Sequence, residues 1–173
     1  MKTFNRLSLF VAALALAIGF AGLPQVAHAQ DNLENYRQGM PDLIDFSDRW
    51  LDEVDGYLMT IAAKPELACS EDYADLLLRG NSVVADFVGS AWDAPADLAE
   101  AHGASAAALT QALEGARRVA TACDGSTLAE GKVQVAQGRH DFKMRSLAIR
   151  HYLKPYFIGI ALPSVPVVGP PTN

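Results

Sequence analysis

The chain has 173 residues, half of them hydrophobic, with 20 Asp and Glu against 14 Lys and Arg and a formal charge of −6. That length supports one domain with a sizeable core. The acidic balance excludes nucleic acid and an anionic membrane surface as partners, since both require clustered Lys and Arg.

The chain opens on Met1-Lys2-Thr3-Phe4-Asn5-Arg6, then the apolar run LSLFVAALALAIGFAGL, then Ala27-His28-Ala29. A basic start, an apolar stretch and an A-x-A site form a secretory signal, so residues 1–29 are expected to be removed and Gln30 to become the new N-terminus. An uncleaved anchor is the alternative. No second apolar segment is long enough to span a bilayer, so no membrane association is expected after cleavage, and the location read from the sequence is secreted or periplasmic. Loss of Lys2 and Arg6 with the signal leaves the mature chain more acidic.

A first helix is predicted from Pro41 to Ala62, where Ile44, Leu51, Val54, Leu58 and Ile61 recur in steps of three and four, flanked by Leu43, Phe46 and Trp50, with Ser47 in one seam position. Pro41 suits a first turn and Pro65 lies past the end. A second helix follows Ser70 as N-cap, with Glu71 and Asp72 in its first turn. It should bury Tyr73, Leu77, Val84, Phe87 and Val88 and end near Trp92. After Asp93 and Pro95 a third stripe runs through Leu98, His102, Ser105, Leu109, Leu113, Ala116, Val119 and Ala120, with small residues that imply close packing. Asp124-Gly125-Ser126 reads as a turn. Thr127 with Glu130 reads as a capping box opening a fourth helix that Pro155 stops near Tyr152 or Lys154. Residues 155–173 read as a Pro-rich tail, extended or disordered.

Four helices with short connections predict an all-α, up-down-up-down four-helix bundle over residues 30–154. In that order the start of the second helix lies beside the end of the third, where Cys69 and Cys123 fall. An even cysteine count in an exported chain reads as one disulfide, with two buried thiols as the alternative.

On a wheel of about 100° per residue centred on Phe142, the residues Val135, Ile149 and Leu153 gather within roughly 20° and define the core face of the fourth helix. His140, Met144, Leu147 and His151 gather on the opposite side, at about 140° to 200°. The expectation is therefore a buried Phe142 and accessible histidines. His and Met are also a ligand set for copper or haem, so His140, Met144 and His151 form a candidate metal stripe. His102, on the apolar stripe of the third helix, reads as a hydrogen-bonded core residue. Ser105, three positions on, reads as a small residue that lets helices approach rather than as a nucleophile.

Residues Glu130-Gly131-Lys132-Val133, then Ala136-Gln137, then His151 resemble the last helix of the periplasmic b-type cytochromes that fold as four-helix bundles. That resemblance implies a haem held by His151 late in the fourth helix and by Met40 at the start of the first. The chain departs from the pattern in three respects. His151 lies opposite the apolar face, Met40 precedes Pro41, and the two cysteines have no place in it. The segment APADLAEAH with the Ala-rich helix after it also resembles exported helical proteins of unassigned activity, which implies a fold and no chemistry.

Asp42, Asp45, Asp48, Asp52 and Asp55 form an acidic stripe on the first helix, and Arg139, Lys143, Arg150 and Lys154 a basic flank on the fourth. The first reads as a solvated face, because carboxylates on one straight helix cannot wrap a cation. The two together read as a device for packing register or for orienting a partner. No glycine-framed nucleophile elbow and no H-E-x-x-H is present. The sequence thus points to an exported, non-catalytic binding or structural module without cofactor, whose partner could be another protein. A haem or copper carrier using Met40 and His151, or the His140, Met144, His151 stripe, is the alternative.

Overall fold

The computed structural model describes residues 25–157, with side chains described for 32–154. Every regular element among them is helical. The elements are α1 (Gln25–Ala63), a short 3-10 turn (Pro65–Cys69), α2 (Glu71–Gly89), a second 3-10 turn (Ser90–Asp93), α3 (Ala99–Val119), α4 (Leu128–Arg145) and α5 (Leu147–Phe157). Since α4 and α5 continue one another across Ser146, the layout is a four-helix bundle. α1 packs on α2, α2 on α3, α3 most extensively on α4, and α4 with α5 back on α1. Residues 1–24 of the predicted signal 1–29, and residues 158–173 of the predicted tail 155–173, lie outside the described residues, and the Ala27-His28-Ala29 site falls within the first turns of α1.

The first helix is longer than its apolar pattern from Pro41 indicates, and Pro41 lies inside it. A proline in a helix interior removes one N–H from the ladder and crowds the preceding turn. Tertiary packing outweighs that loss here, because Tyr36 and Met40, upstream of the proline, are both buried in the core. At the other end, Pro155 does not stop the chain, and α5 runs on to Phe157. The predicted boundary between bundle and tail therefore moves three residues outward.

Ser70 caps α2 as expected, its hydroxyl accepting from the Tyr73 amide at 3.2 Å. The buried face of α2 is Tyr73, Leu76, Val83 and Phe87, while Leu77 and Val84 are partly covered and Val88 is exposed. The stripe is thus rotated from the predicted one. Trp50 of α1 accounts for the rotation: its indole N–H donates to the Leu76 carbonyl at 3.0 Å, and its ring occupies the space where a Gly80 side chain would stand. The capping box before α4 does not form. Thr127 donates to the Val119 carbonyl at 3.4 Å, and Glu130 reaches across to Arg118 at 2.8 Å. The turn before them does form, with the Ser126 amide donating to the Asp124 carboxylate at 2.9 Å and Gly125 at φ +75°, a conformation that favours glycine.

The disulfide joins Cys69 to Cys123, with Cα atoms 5.3 Å apart, and closes the base of the α2–α3 hairpin. A further tie in that hairpin is the Tyr73 hydroxyl, which donates to the Ala116 carbonyl at 2.9 Å.

α3 and α4 meet backbone to backbone. A Cβ on Gly138 would lie 2.6 Å from the Ala112 amide nitrogen and 2.7 Å from the Ala108 carbonyl oxygen, and one on Gly131 would lie 2.7 Å from the Gly115 carbonyl oxygen. Backbone cannot rotate away as a side chain can, so the helices themselves must separate. Gly138→Ala is expected to destabilise by about 1–3 kcal/mol even though alanine favours helix by roughly 1 kcal/mol. Gly103→Ala, on α3 with nothing within 4 Å of the new methyl, should stabilise by up to about 1 kcal/mol. Urea unfolding of the two variants compares them, and equal effects of the same sign would refute the close α3–α4 approach.

Candidate functional site

The most elaborate polar cluster in the core is built around His102 on α3, which is 1 % exposed. Its Nε2 lies 2.7 Å from the Phe87 carbonyl oxygen of α2, and a carbonyl oxygen only accepts, so Nε2 carries the proton. Nδ1 is then the acceptor for the Tyr36 hydroxyl of α1 at 3.1 Å. The imidazole stacks on the Phe87 ring with centroids 4.8 Å apart, and Phe142 of α4 meets Phe87 edge-on at 5.6 Å. One histidine therefore ties α1, α2 and α3 together at the point where the α4 aromatic enters. Ser105 is buried beside it in sequence, but its hydroxyl donates to the Ala101 carbonyl at 2.7 Å. Both residues are engaged with core partners and do not pair with each other.

Sequence reasoning placed His102 on the core face and missed its partner Tyr36, which lies upstream of the expected helix start. A signal for it existed: Tyr36, Met40, Ile44, Ser47 and Leu51 continue one stripe in steps of four, four, three and four, through Pro41.

Burial holds the His102 pKa below the usual histidine value of 6.5, with the hydrogen bond to Phe87 opposing it. In the unfolded chain the group takes up its proton near pH 6.5, whereas in the folded chain it does so only at lower pH. The unfolded state thus binds more protons in that interval, and stability rises with pH there. The stabilising contribution is complete above about pH 6.5 and is lost as pH falls from there towards the folded value. Urea unfolding at several pH values between neutrality and mild acid should show declining stability, and His102→Gln should flatten the decline. An equal slope in the variant would remove His102 as the cause. Burial also raises the Tyr36 hydroxyl pKa far above the usual tyrosine range, so this group stays a neutral donor.

The charged stripes meet across the α1/α4–α5 seam. Arg139 of α4 pairs with Asp55 at 3.0 Å and also with Asp52, and Arg150 of α5 pairs with Asp48 at 2.8 Å. Between them lies a cleft of about 310 Å³ with Leu51 at its floor and Lys143 and Leu147 on its wall. These pairs are partly exposed, so each contributes little to stability and more to register. Asp42 and Asp45 lie further along α1, with no ion pair among the described residues.

His140, Met144 and His151 all lie on the exposed side of α4 and α5. Met40 sits inside α1, 1 % exposed and packed in the core. Met40 and His151 therefore face opposite ways, one into the bundle and one to solvent. Cys69 and Cys123 are joined to each other. Among the described residues no three His, Cys, Asp or Glu side chains are grouped as a metal site, and no helix is long and apolar enough to cross a membrane.

Comparison with protein-family models, with curated proteins and with solved structures finds no match to this chain.

Proposed function

We propose that the protein is an exported helical bundle that acts as a binding or structural module, without catalysis, through its outer helix faces. The observation that carries this reading is the engagement of His102. Its two ring nitrogens are occupied by Tyr36 and by the Phe87 carbonyl, so the buried imidazole serves packing and has no lone pair or proton left for a substrate. The Cys69–Cys123 disulfide supports export, because such bonds persist in oxidising compartments.

A second reading, a carrier of copper or another transition ion, is favoured by the single exposed face that His140, Met144 and His151 share. The haem version of it requires Met40 to leave the core. Protein purified from an exporting host would be tested for its N-terminus, its visible spectrum and its metal content. Expected are an N-terminal Gln30, no absorption band, and no change on adding haem or copper. Stoichiometric uptake of either would put the carrier reading first, and an intact N-terminal segment on a cytoplasmic protein would overturn export.

A further inference from the structure

Two hydrogen bonds hold the His102 ring, and a proton affects them differently. Nε2 donates to the Phe87 carbonyl of α2 whether the ring is neutral or charged, so that tie survives protonation. Nδ1 accepts from the Tyr36 hydroxyl of α1 only while the ring is neutral. Once Nδ1 carries a hydrogen the Tyr36 O–H must turn away, and Tyr36, 2 % exposed, has no other hydrogen-bond partner among the described residues. The charged ring would also lack a counter-ion. From α1 the titratable group facing it is Tyr36, on which Tyr152 of α5 acts in turn, while α2 brings the uncharged Phe87 ring and α4 the Phe142 ring behind it. Arg37, next to Tyr36, donates to the Tyr152 hydroxyl at 3.1 Å. Among the described residues no carboxylate bonds to the imidazole. A stranded donor and an unpaired charge in the core are both relieved if water enters where Tyr36 stood.

The segment that carries Tyr36 is held differently from the rest of the bundle. Pro41 supplies no N–H to the ladder of α1, and Gly39, two residues before it, weakens the helix relative to alanine. Packing does not call for that glycine, since a Cβ there would meet nothing within 4 Å. Upstream of Pro41 the buried side chains are Tyr36 and Met40, and the core hydrogen bond of the segment is the one to His102. By contrast, the Cys69–Cys123 disulfide closes the α2–α3 hairpin, and α3 meets α4 backbone to backbone. The bond that protonation reverses is thus the one that fastens the segment with the weakest helix behind it.

We propose that the part of α1 upstream of Pro41 is an acid-released arm: when His102 takes up a proton, the arm swings off the bundle about Gly39 and Pro41, and water replaces Tyr36 at Nδ1. α2, α3 and α4 keep their arrangement. In the released form the imidazole titrates as an exposed histidine does. Below about pH 6.5 the ratio of open to closed arm therefore rises by up to about tenfold per pH unit, until the closed form is itself protonated. The arm does not depend on whether the outer helix faces bind a partner, so its failure leaves that reading standing.

Hydrogen exchange of the exported chain, read by mass spectrometry on peptides from the arm and from α3 and α4, tests this between neutrality and mild acid. Rates are corrected for the intrinsic pH dependence of exchange. Arm amides should exchange at least about tenfold faster than those of α3 and α4 at every pH, which marks an opening smaller than unfolding of the bundle. Their opening should also climb as the pH falls. In His102→Gln the side-chain amide can accept from Tyr36 and donate to Phe87 but takes up no proton, so the arm should stay closed and the climb should vanish. Gly39→Ala, at an exposed position, should slow arm exchange about fivefold and leave its pH dependence unchanged. Arm amides protected as well as those of α3 and α4 would show that the arm leaves only with the whole bundle, and would overturn the proposal. Fast arm exchange with no pH dependence is fraying of a helix end, and overturns it too. So does an equal climb in His102→Gln, and arm exchange that Gly39→Ala leaves unchanged overturns the hinge.

Discussion

Phe142→Ala is expected to destabilise the bundle by about 3–5 kcal/mol, while His151→Ala changes stability by less than about 0.5 kcal/mol. The two residues lie on α4 and on α5, which continues it across Ser146, and they differ in which way they face. Phe142 is fully buried, edge-on to Phe87, which in turn stacks on His102, so truncation leaves a cavity beside the hydrogen bonds that join three helices. Surrounding backbone cannot collapse into that space where α3 and α4 are already in contact at Gly138. His151 is exposed and its removal leaves no cavity. Denaturant unfolding of both variants beside the parent decides the matter. A larger loss for His151→Ala would mean that the histidine points inward and would favour the haem reading over the one proposed.

Replacing both Cys69 and Cys123 by Ser should lower stability by roughly 4 kcal/mol, on the loop-entropy account for a closed loop of 54 positions. Both cysteines are exposed, so two serines there remain hydrated and bury no polar group. The loss would then arise mainly in the unfolded chain, which gains the freedom that the bond had removed. Reduction of the parent should reproduce it. A difference below about 1 kcal/mol between oxidised and reduced protein would show that residual contacts in the unfolded state already hold the α2–α3 hairpin together.

Elements with strong local signals were legible where the apolar period was unbroken and a cap or turn marked the end. Ser70 before α2, the Asp124-Gly125-Ser126 turn, and the stripe of α3 fall in that group. The legible positions of α4 and α5 were the ones fixed by angle, with Val135, Phe142, Ile149 and Leu153 inward and His140, Met144, Leu147 and His151 outward. The break at Ser146 was not legible. That residue is fully buried, keeps its amide on the Phe142 carbonyl at 2.9 Å and receives the Arg150 side chain at 3.0 Å, so the chain there has partners on both sides of it.

Proline misled the reading at both ends, and at Pro41 the reason is visible. Its local effect is a missing N–H and a crowded turn, a loss of about 3 kcal/mol in a helix interior that sequence alone treats as decisive. Tyr36 and Met40 of α1 recover it by burial against residues far along the chain, including the bond from Tyr36 to His102, 66 positions away. No window of neighbouring residues contains that term.

The sequence by itself determined the all-helical bundle, the Cys69–Cys123 pairing and the inward side of α3, α4 and α5, because periodicity and the order of short connections restrict those choices to a few. Only the tertiary structure decided where α1 begins and α5 ends, which residues of α2 lie under Trp50, that Glu130 pairs with Arg118 instead of capping α4, and that His102 is held between Tyr36 and Phe87. Each of these depends on a contact between segments remote in sequence, whose strength comes from burial and hydrogen-bond geometry that exist only once the helices are assembled.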